Sequence, residues 1–142
     1  MKQLWLSLIL LSLGAAAQAE MRQYGEYEVH YSLFQSSFLQ PSIASAYSIV
    51  RARDHAVLTI AVRRTSEALA SVAVSAAISG KRGDLIYSKA LDFREIREDQ
   101  AVYYVADFAF ISGEAMYFDL SIRPEGDPAA LSLKFNQTLY AD

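Results

Sequence analysis

The sequence predicts an all-β protein, with an antiparallel two-sheet sandwich of about seven short strands as its architecture. Apolar and polar residues alternate over most of the chain, and turns rich in Gly and Pro separate the alternating runs. No long stretch shows the spacing of apolar residues that an amphipathic helix requires. Residues 101–111 are apolar on both faces, so we expect this strand to lie at the centre of its sheet.

The first 19 residues have the features of a cleaved secretory signal peptide. Lys2 supplies the positive charge, an apolar run occupies residues 4–13, and small residues end the segment, which predicts cleavage after Ala19. The apolar run is shorter than the roughly 20 residues that span a bilayer, so we expect no membrane insertion after cleavage. These features predict localisation in the periplasm and a single β-sandwich domain over residues 20–142.

Each predicted strand presents one apolar face, because side chains alternate between the two faces of a strand. The residues that share a face in four of the runs are Tyr27, Val29, Tyr31 and Leu33; Leu58, Ile60 and Val62; Val72, Val74, Ala76 and Ile78; and Met116, Phe118, Leu120 and Ile122. Turns at residues 80–84, 112–114 and 124–128 divide the later runs from one another. A further strand is predicted over residues 85–91, "LIYSKAL".

A longer connection, residues 34–49, is rich in serine and contains Pro41. Because a hairpin needs only about two to five residues, this length predicts a crossing between the two sheets. Pro41 suits the first turn of a helix, and apolar residues at helical spacing follow it. The sequence therefore predicts one short helical corner that plugs the end of the sandwich. Its buried anchors are expected to be Phe38, Leu39, Ile43 and Tyr47.

Charge and composition exclude several classes of function. The chain has 13 Lys and Arg against 16 Asp and Glu, a net charge of −3, so nucleic acid is not an expected partner. The absence of cysteine excludes thiol catalysis and thiolate metal sites. The serines between His30 and His55 lack a Gly-x-Ser-x-Gly elbow, so we expect no enzymatic activity, and hydrolysis is a remote alternative. No cofactor motif is present, and no cofactor is expected.

Candidates for metal ligands come from two arrangements. His30 and His55 could form a pair, with Met21 or Met116 as a further ligand for copper. A hairpin through the turn at residues 112–114 would place Phe108 opposite Phe118 and Asp107 opposite Asp119. Like charges across a ladder repel each other, so this pair requires a counter-charge.

That counter-charge could come from Arg63 or Arg123, or from a cation such as calcium. The ligand candidates are therefore Asp107, Asp119, His30 and His55.

Two segments are candidates for binding a partner. The connection at residues 34–49 has a polar face, and residues 91–100 carry alternating charges that could form a docking surface or a solvated strand laced with ion pairs. The candidate contact residues are Phe38, Gln40, Ser42, Tyr47, Arg94, Glu95 and Arg97.

The chain resembles a family of small secreted proteins of Gram-negative bacteria that is known only as a domain of unknown function. The resemblance covers the whole chain after residue 19, and its most recognisable parts are Phe38-Leu39-x-Pro41, Phe93-Arg94-Glu95, and Tyr103-Tyr104 followed by Asp107-Phe108. It implies a periplasmic, immunoglobulin-like sandwich and no catalytic residues. In the family a glycine usually follows the acidic residue at the turn after "FREIRE", and Glu98-Asp99-Gln100 of this chain departs from that pattern.

Together these observations predict a non-enzymatic binding or accessory module for another envelope protein. The alternative is a carrier of a small ligand or of a calcium or copper ion. Neither prediction identifies the partner or the ligand.

Overall fold

The computed structural model of the chain describes residues 19–65 and 71–141. The predicted signal peptide lies outside these residues except for Ala19, so its cleavage stays a prediction. Among the described residues, no helix has the length and apolar character needed to cross a membrane.

Ten strands, one 3₁₀ turn and one short α-helix account for the regular structure of the described ranges. In chain order the strands are β1 (Glu20–Tyr24), β2 (Tyr27–Gln35), β3 (His55–Arg64), β4 (Val72–Ala73), β5 (Ala76–Gly83), β6 (Ser88–Ala90), β7 (Arg94–Glu98), β8 (Ala101–Ala109), β9 (Ala115–Pro124) and β10 (Leu131–Thr138). The 3₁₀ turn covers Ser36–Phe38, and helix α1 covers Pro41–Ala46.

The strands form two antiparallel sheets that pack as a sandwich. Sheet A has the order β1-β2-β3-β8-β7, and β4 pairs with the end of β3. Sheet B has the order β10-β9-β5-β6. The predicted sandwich is confirmed, and β8 lies inside sheet A between β3 and β7, as its two apolar faces indicate.

One predicted strand is divided between the two sheets. Val72 belongs to β4 in sheet A, whereas Ala76 begins β5 in sheet B. Val74 still donates its N–H to the carbonyl oxygen of Val62 in β3, at 2.9 Å, and the chain then crosses to the second sheet. Alternation continues through the crossing, so periodicity alone does not reveal it. This division, together with β1 and β7, raises the strand number to ten.

The predicted hairpin between β8 and β9 is wrong, because the two strands lie in different sheets. The chain leaves sheet A after Ala109 and enters sheet B at Ala115. Phe108 and Phe118, the predicted ladder neighbours, instead meet across the core with ring centroids 5.9 Å apart. Apolar residues at matching positions can pair within one sheet or face each other across two sheets. The alternation of apolar residues therefore does not distinguish the two arrangements.

The main core lies between the sheets and contains the predicted inward faces of β2, β3 and β9. Its fully buried side chains include Val29, Leu33, Leu58, Ile60, Val62, Leu120, Ile122 and Leu133. Burial of such side chains stabilises the fold by about 1.5–3 kcal/mol each.

A second apolar cluster covers the outer face of sheet A. Residues 36–54, which we call the cover segment, lie over this face and connect β2 to β3 within the same sheet. The short helix is confirmed, but the predicted crossing between sheets is wrong. Leu39 and Ile43 are buried as expected, Tyr47 is half-buried, and Phe38 is 56% exposed and is therefore not an anchor.

Helix α1 begins at Pro41, as predicted, and ends in a Schellman motif. The N–H of Ile49 donates to the carbonyl of Ala44 at 2.8 Å, and the N–H of Ser48 donates to the carbonyl of Ser45 at 3.3 Å. Ser48 takes the left-handed position of this motif, with φ of 56°. A six-residue helix is too short to be stable alone, so this cap and the buried Ile43 hold it.

A second left-handed residue occupies the hairpin turn between β7 and β8. Asp99, in the segment Glu98-Asp99-Gln100 that departs from the family pattern, has φ of 54°. Aspartate is among the few side chains that adopt this conformation without large strain. Asp99 therefore supplies the left-handed residue of this turn.

We predict that Ser48→Gly raises the free energy of unfolding by about 1 kcal/mol, because glycine adopts the left-handed conformation without the Cβ clash. The matched control is Ser45→Gly, which lies inside α1 and should lower stability by up to about 0.5 kcal/mol. Urea denaturation of both variants measures the difference. Changes of the same sign would contradict the assigned cap.

Candidate functional site

The serine-rich cover segment is fastened to the sandwich by hydrogen bonds, and its serines are not arranged for nucleophilic attack. The hydroxyl of Ser36, which is fully buried, donates to the carbonyl of Ala52 at 3.1 Å and accepts from the N–H of Ala52 at 2.9 Å. Arg51 Nε donates to the carbonyl of Leu39 at 2.7 Å. Tyr47 donates its hydroxyl to the carboxylate of Glu98 in β7. These bonds make the segment part of the fold.

Asp107 binds two cationic or potentially cationic side chains on the outer face of sheet A. Its Oδ2 lies 2.8 Å from His55 Nε2, and its Oδ1 accepts from Arg94 Nη2 at 2.6 Å. Arg94 also donates to the carbonyl of Ser48 at 3.3 Å. We call this group the Asp107 tie: it joins β3, β7 and β8 to the end of α1. Charge-assisted bonds of this kind are stronger than neutral ones.

The Asp107 tie brings together one histidine and one aspartate that were metal candidates, but not the predicted aspartate pair. Asp119 lies on sheet B, in register with Lys81 and Lys134. The expected repulsion between Asp107 and Asp119 is therefore absent, and neither needs a calcium ion. No group of three or more His, Cys, Asp or Glu side chains in residues 19–65 and 71–141 could hold a metal ion.

The arginines and glutamates of β7 form a second set of internal contacts. Glu95 accepts the hydroxyl of Tyr104 at 2.9 Å and the Nε–H of Arg97 at 3.0 Å. The Tyr104 hydroxyl also accepts the N–H of Ala76 at 2.8 Å, and Arg97 donates to the hydroxyl of Ser75. Through Tyr104, Glu95 therefore connects β7, at the edge of sheet A, to Ala76, where the chain enters β5 of sheet B.

The pKa shifts of Glu95 and Tyr104 favour a hydrogen bond in which the Tyr104 hydroxyl donates and the Glu95 carboxylate accepts. Hydrogen bonds from Arg97 and then from Tyr104 lower the pKa of Glu95. Burial raises the pKa of Tyr104, so the phenol keeps the proton that it donates. Because the pKa of Glu95 is lowered on folding, its contribution to stability is complete above the ordinary glutamate pKa and is lost as the pH falls through the lowered value.

The predicted contact residues fall into two groups. Tyr47, Arg94, Glu95 and Arg97 make the internal contacts described above. Phe38, Gln40 and Ser42 are exposed on the cover segment. Their role in binding stays a prediction, and Phe38 is the apolar member of these three residues.

The remaining histidine, His30, lies on β2 with its Nε2 3.2 Å from Glu28 Oε1. His30 is paired with Ala61 in the register, whereas His55 is the first residue of β3, six residues before Ala61 along that strand. The two histidines therefore do not form the predicted pair. Met116 is buried in the main core at 6% exposure and is not available as a ligand. Met21 is the cross-strand partner of His30.

The most exposed large apolar side chains lie in a loop, where the sequence of residues 85–91 predicts a strand. Leu85, Ile86 and Tyr87, which we call the apolar loop, are 86%, 82% and 75% exposed. They connect β5 to β6 at one end of the sandwich. The preceding Asp84 was the available signal, because aspartate favours turns that it closes with its own carboxylate.

Asp84 fixes the conformation of the apolar loop. Its Oδ1 accepts the N–H groups of Ile86 and Tyr87, both at 2.7 Å, and its own N–H donates to the carbonyl of Tyr87 at 2.9 Å. The bonds from Tyr87 and then Ile86 lower the pKa of Asp84, so the carboxylate is ionised at neutral pH. Gly83 permits the tight return because a Cβ there would clash with the carbonyl oxygen of Tyr87.

Two open grooves of about 480 and 490 Å³ flank the apolar loop. The first runs along sheet B past Tyr117, and the second separates the loop from Ile111 in the β8–β9 connection. The β2–β3, β5–β6 and β8–β9 connections all leave the sandwich at this end, which we call the loop end. Ile111 and Tyr140, at 68% and 66% exposure, add apolar surface there.

We predict that Asp107→Asn lowers the free energy of unfolding by about 1–2 kcal/mol, since the amide leaves Arg94 without its charge partner. Asp119→Asn is the matched control and should change stability by less than about 0.5 kcal/mol. Chemical denaturation of the two variants gives both values. Equal losses would show that the Asp107 tie has no special part in holding the cover segment.

The chain is similar in fold to proteins of known structure. A DUF4426 family protein, PA0388 from Pseudomonas aeruginosa PAO1, has a crystal structure that matches with a TM-score of 0.75, and the two chains are 31% identical over 87% of this chain and 96% of that one. FetP of uropathogenic E. coli strain F11, recombinantly expressed in the periplasm of E. coli BL21(DE3), matches with a TM-score of 0.62 over 89% of this chain and 96% of FetP. Its identity of 9% makes this a likeness of fold alone.

No curated protein matches this chain in sequence. The DUF4426 family model, described as a domain of unknown function, matches residues 21–142. The family resemblance in the sequence is therefore confirmed, and this chain belongs to the DUF4426 family.

Proposed function

We propose that this chain is a non-enzymatic binding module that docks a partner protein at the loop end of the sandwich. The observation that carries the proposal is the apolar loop, in which Leu85, Ile86 and Tyr87 stand 86%, 82% and 75% exposed on a fixed turn. A contact of this kind needs an exposed apolar centre and a surrounding polar rim, and the loop end has both.

The free energy available from the apolar loop is considerable. Burial of a side chain such as leucine or isoleucine against a partner contributes about 1.5–3 kcal/mol. The hydrogen bonds to Asp84 hold the loop before binding, so little conformational entropy is lost when a partner docks. A fixed apolar loop is therefore suited to binding, whereas a mobile one would lose part of this gain.

The surroundings of the loop supply the polar rim. The groove between the loop and Ile111 is bordered by Arg82 and Lys89 and by Asp54 and Glu114, so both signs of charge are present. Arg82 lies over the ring of Phe108, 4.4 Å from its centroid, and closes this end of the core. Such a rim favours a protein partner with complementary charges.

The predicted signal peptide supports a periplasmic location and therefore an envelope protein as the partner.

The contacts of His55 support a function that is not enzymatic. Among the described residues, the His55 ring forms a hydrogen bond only with Asp107, whose other carboxylate oxygen accepts from Arg94. No hydroxyl group within the described ranges forms a hydrogen bond with this ring. A nucleophile and its base must lie within hydrogen-bond reach of each other.

We expect one envelope protein to crosslink to the wild-type chain in cells and to be lost from the Leu85→Ser/Ile86→Ser double variant. Serine keeps the loop length and the bonds to Asp84 while it removes the apolar side chains. Crosslinking, affinity purification and mass spectrometry identify the protein, and the purified pair then gives the dissociation constant. We expect the double variant to weaken it at least about tenfold.

Val72→Ser is the matched control, because Val72 is 48% exposed on β4 and lies away from the loop end. Phe38→Ser tests whether the cover segment adds to the same contact. Recovery of the same protein at equal yield from the wild type and the double variant would contradict the proposal, and so would the absence of any specific protein from both. The melting temperatures of all variants establish that they remain folded.

A further inference from the structure

A thioether and an imidazole lie side by side on the outer face of sheet A. Met21 of β1 is directly opposite His30 of β2 in the register, so both side chains project from the same face of the sheet. Directly opposed Cβ atoms are about 4.5–5.5 Å apart, within the reach of a flexible methionine. Met21 is 49% exposed, and the His30 side chain is 43% exposed, so both are accessible from solvent.

A carboxylate lies next to this pair. Glu28 is two residues before His30 on the same face of β2, and its Oε1 lies 3.2 Å from His30 Nε2. Nitrogen and oxygen ligands bind a metal ion such as zinc at about 2.0–2.2 Å, which places two neighbouring ligand atoms about 3.0–3.5 Å apart. The imidazole and the carboxylate therefore already have the spacing of two ligands that share one ion.

The neighbouring strand leaves room for an ion and disfavours a high charge. Ala61 of β3 stands opposite His30, and its small side chain does not cover the ring. Arg63 stands opposite Glu28, and its guanidinium is held by the hydroxyl and the carbonyl oxygen of Ser71, each at 2.7 Å. A fixed positive charge near the pair repels a doubly charged ion about twice as strongly as a singly charged one.

We propose that Met21 and His30 bind a single Cu(I) ion, and that the adjacent carboxylate of Glu28 offsets the charge of the bound ion. Thioether sulfur is a soft ligand that selects Cu(I), imidazole is also a copper ligand, and the single charge suits the neighbouring arginine. The site does not depend on the proposed docking function, because it lies on the β1–β2 ribbon and the apolar loop lies between β5 and β6.

Titration of the purified protein with Cu(I) against a chromophoric Cu(I) chelator, without oxygen, tests the site. We expect uptake of one ion, and we expect Met21→Leu and His30→Gln each to weaken binding at least about tenfold. Met21→Leu preserves the size and apolar character of an exposed side chain, so it should not affect folding. His55→Gln is the matched control and should bind Cu(I) as the wild type does.

Ag(I), which does not change its oxidation state, provides a second readout by NMR. Addition of Ag(I) should shift the methyl resonance of Met21 and the ring resonances of His30 together, at one ion per chain. The proposal is overturned if the wild type takes up no Cu(I), if Met21→Leu binds as tightly as the wild type, or if Ag(I) shifts His30 without Met21.

Discussion

The rest of the structure depends on strand β8, which is apolar on both faces. Its inward side chains enter the core between the sheets, and its outward side chains, Tyr103 and Val105, would otherwise face water. Sheet B covers the inner face, and the cover segment covers the outer one. Asp107 is the polar exception on the outer face, and its bonds to His55 and Arg94 fasten the segment where the apolar contacts end. The serine-rich connection is long because it has a face of sheet A to cover.

This constraint also limits where the protein can bind other molecules. The inner faces of both sheets are packed, and the outer face of sheet A is partly covered. Three surfaces remain open: the outer face of sheet B, the loop end with its fixed apolar loop, and the β1–β2 ribbon with Met21 and His30. The charged residues of β7, whose alternation in the sequence suits a docking surface, instead form hydrogen bonds within the molecule.

Alternation predicted the faces of β2, β3, β8 and β9 correctly, because burial of one face leaves a period of two in the sequence. It failed where two arrangements give the same pattern. Phe108 and Phe118 match as ladder neighbours and also as residues facing each other across the core. The Asp107 tie could not be predicted, since Asp107 and His55 are 52 residues apart and meet only after the sheet forms. Residues 85–91 predict a strand because they include the strand formers Ile86 and Tyr87, whereas the structure has the apolar loop at residues 85–87.

Native-state hydrogen exchange tests most directly whether the cover segment is part of the cooperative core. The amide of Ile49, which donates to Ala44 at the end of α1, and the amide of Val105 in β8 are the two probes. The account predicts that both exchange with the same free energy of opening and the same dependence on denaturant, because the segment and the strand unfold together. Exchange of Ile49 at a much lower free energy, with Val105 still protected, would contradict it and would show that the segment opens independently, as a lid does.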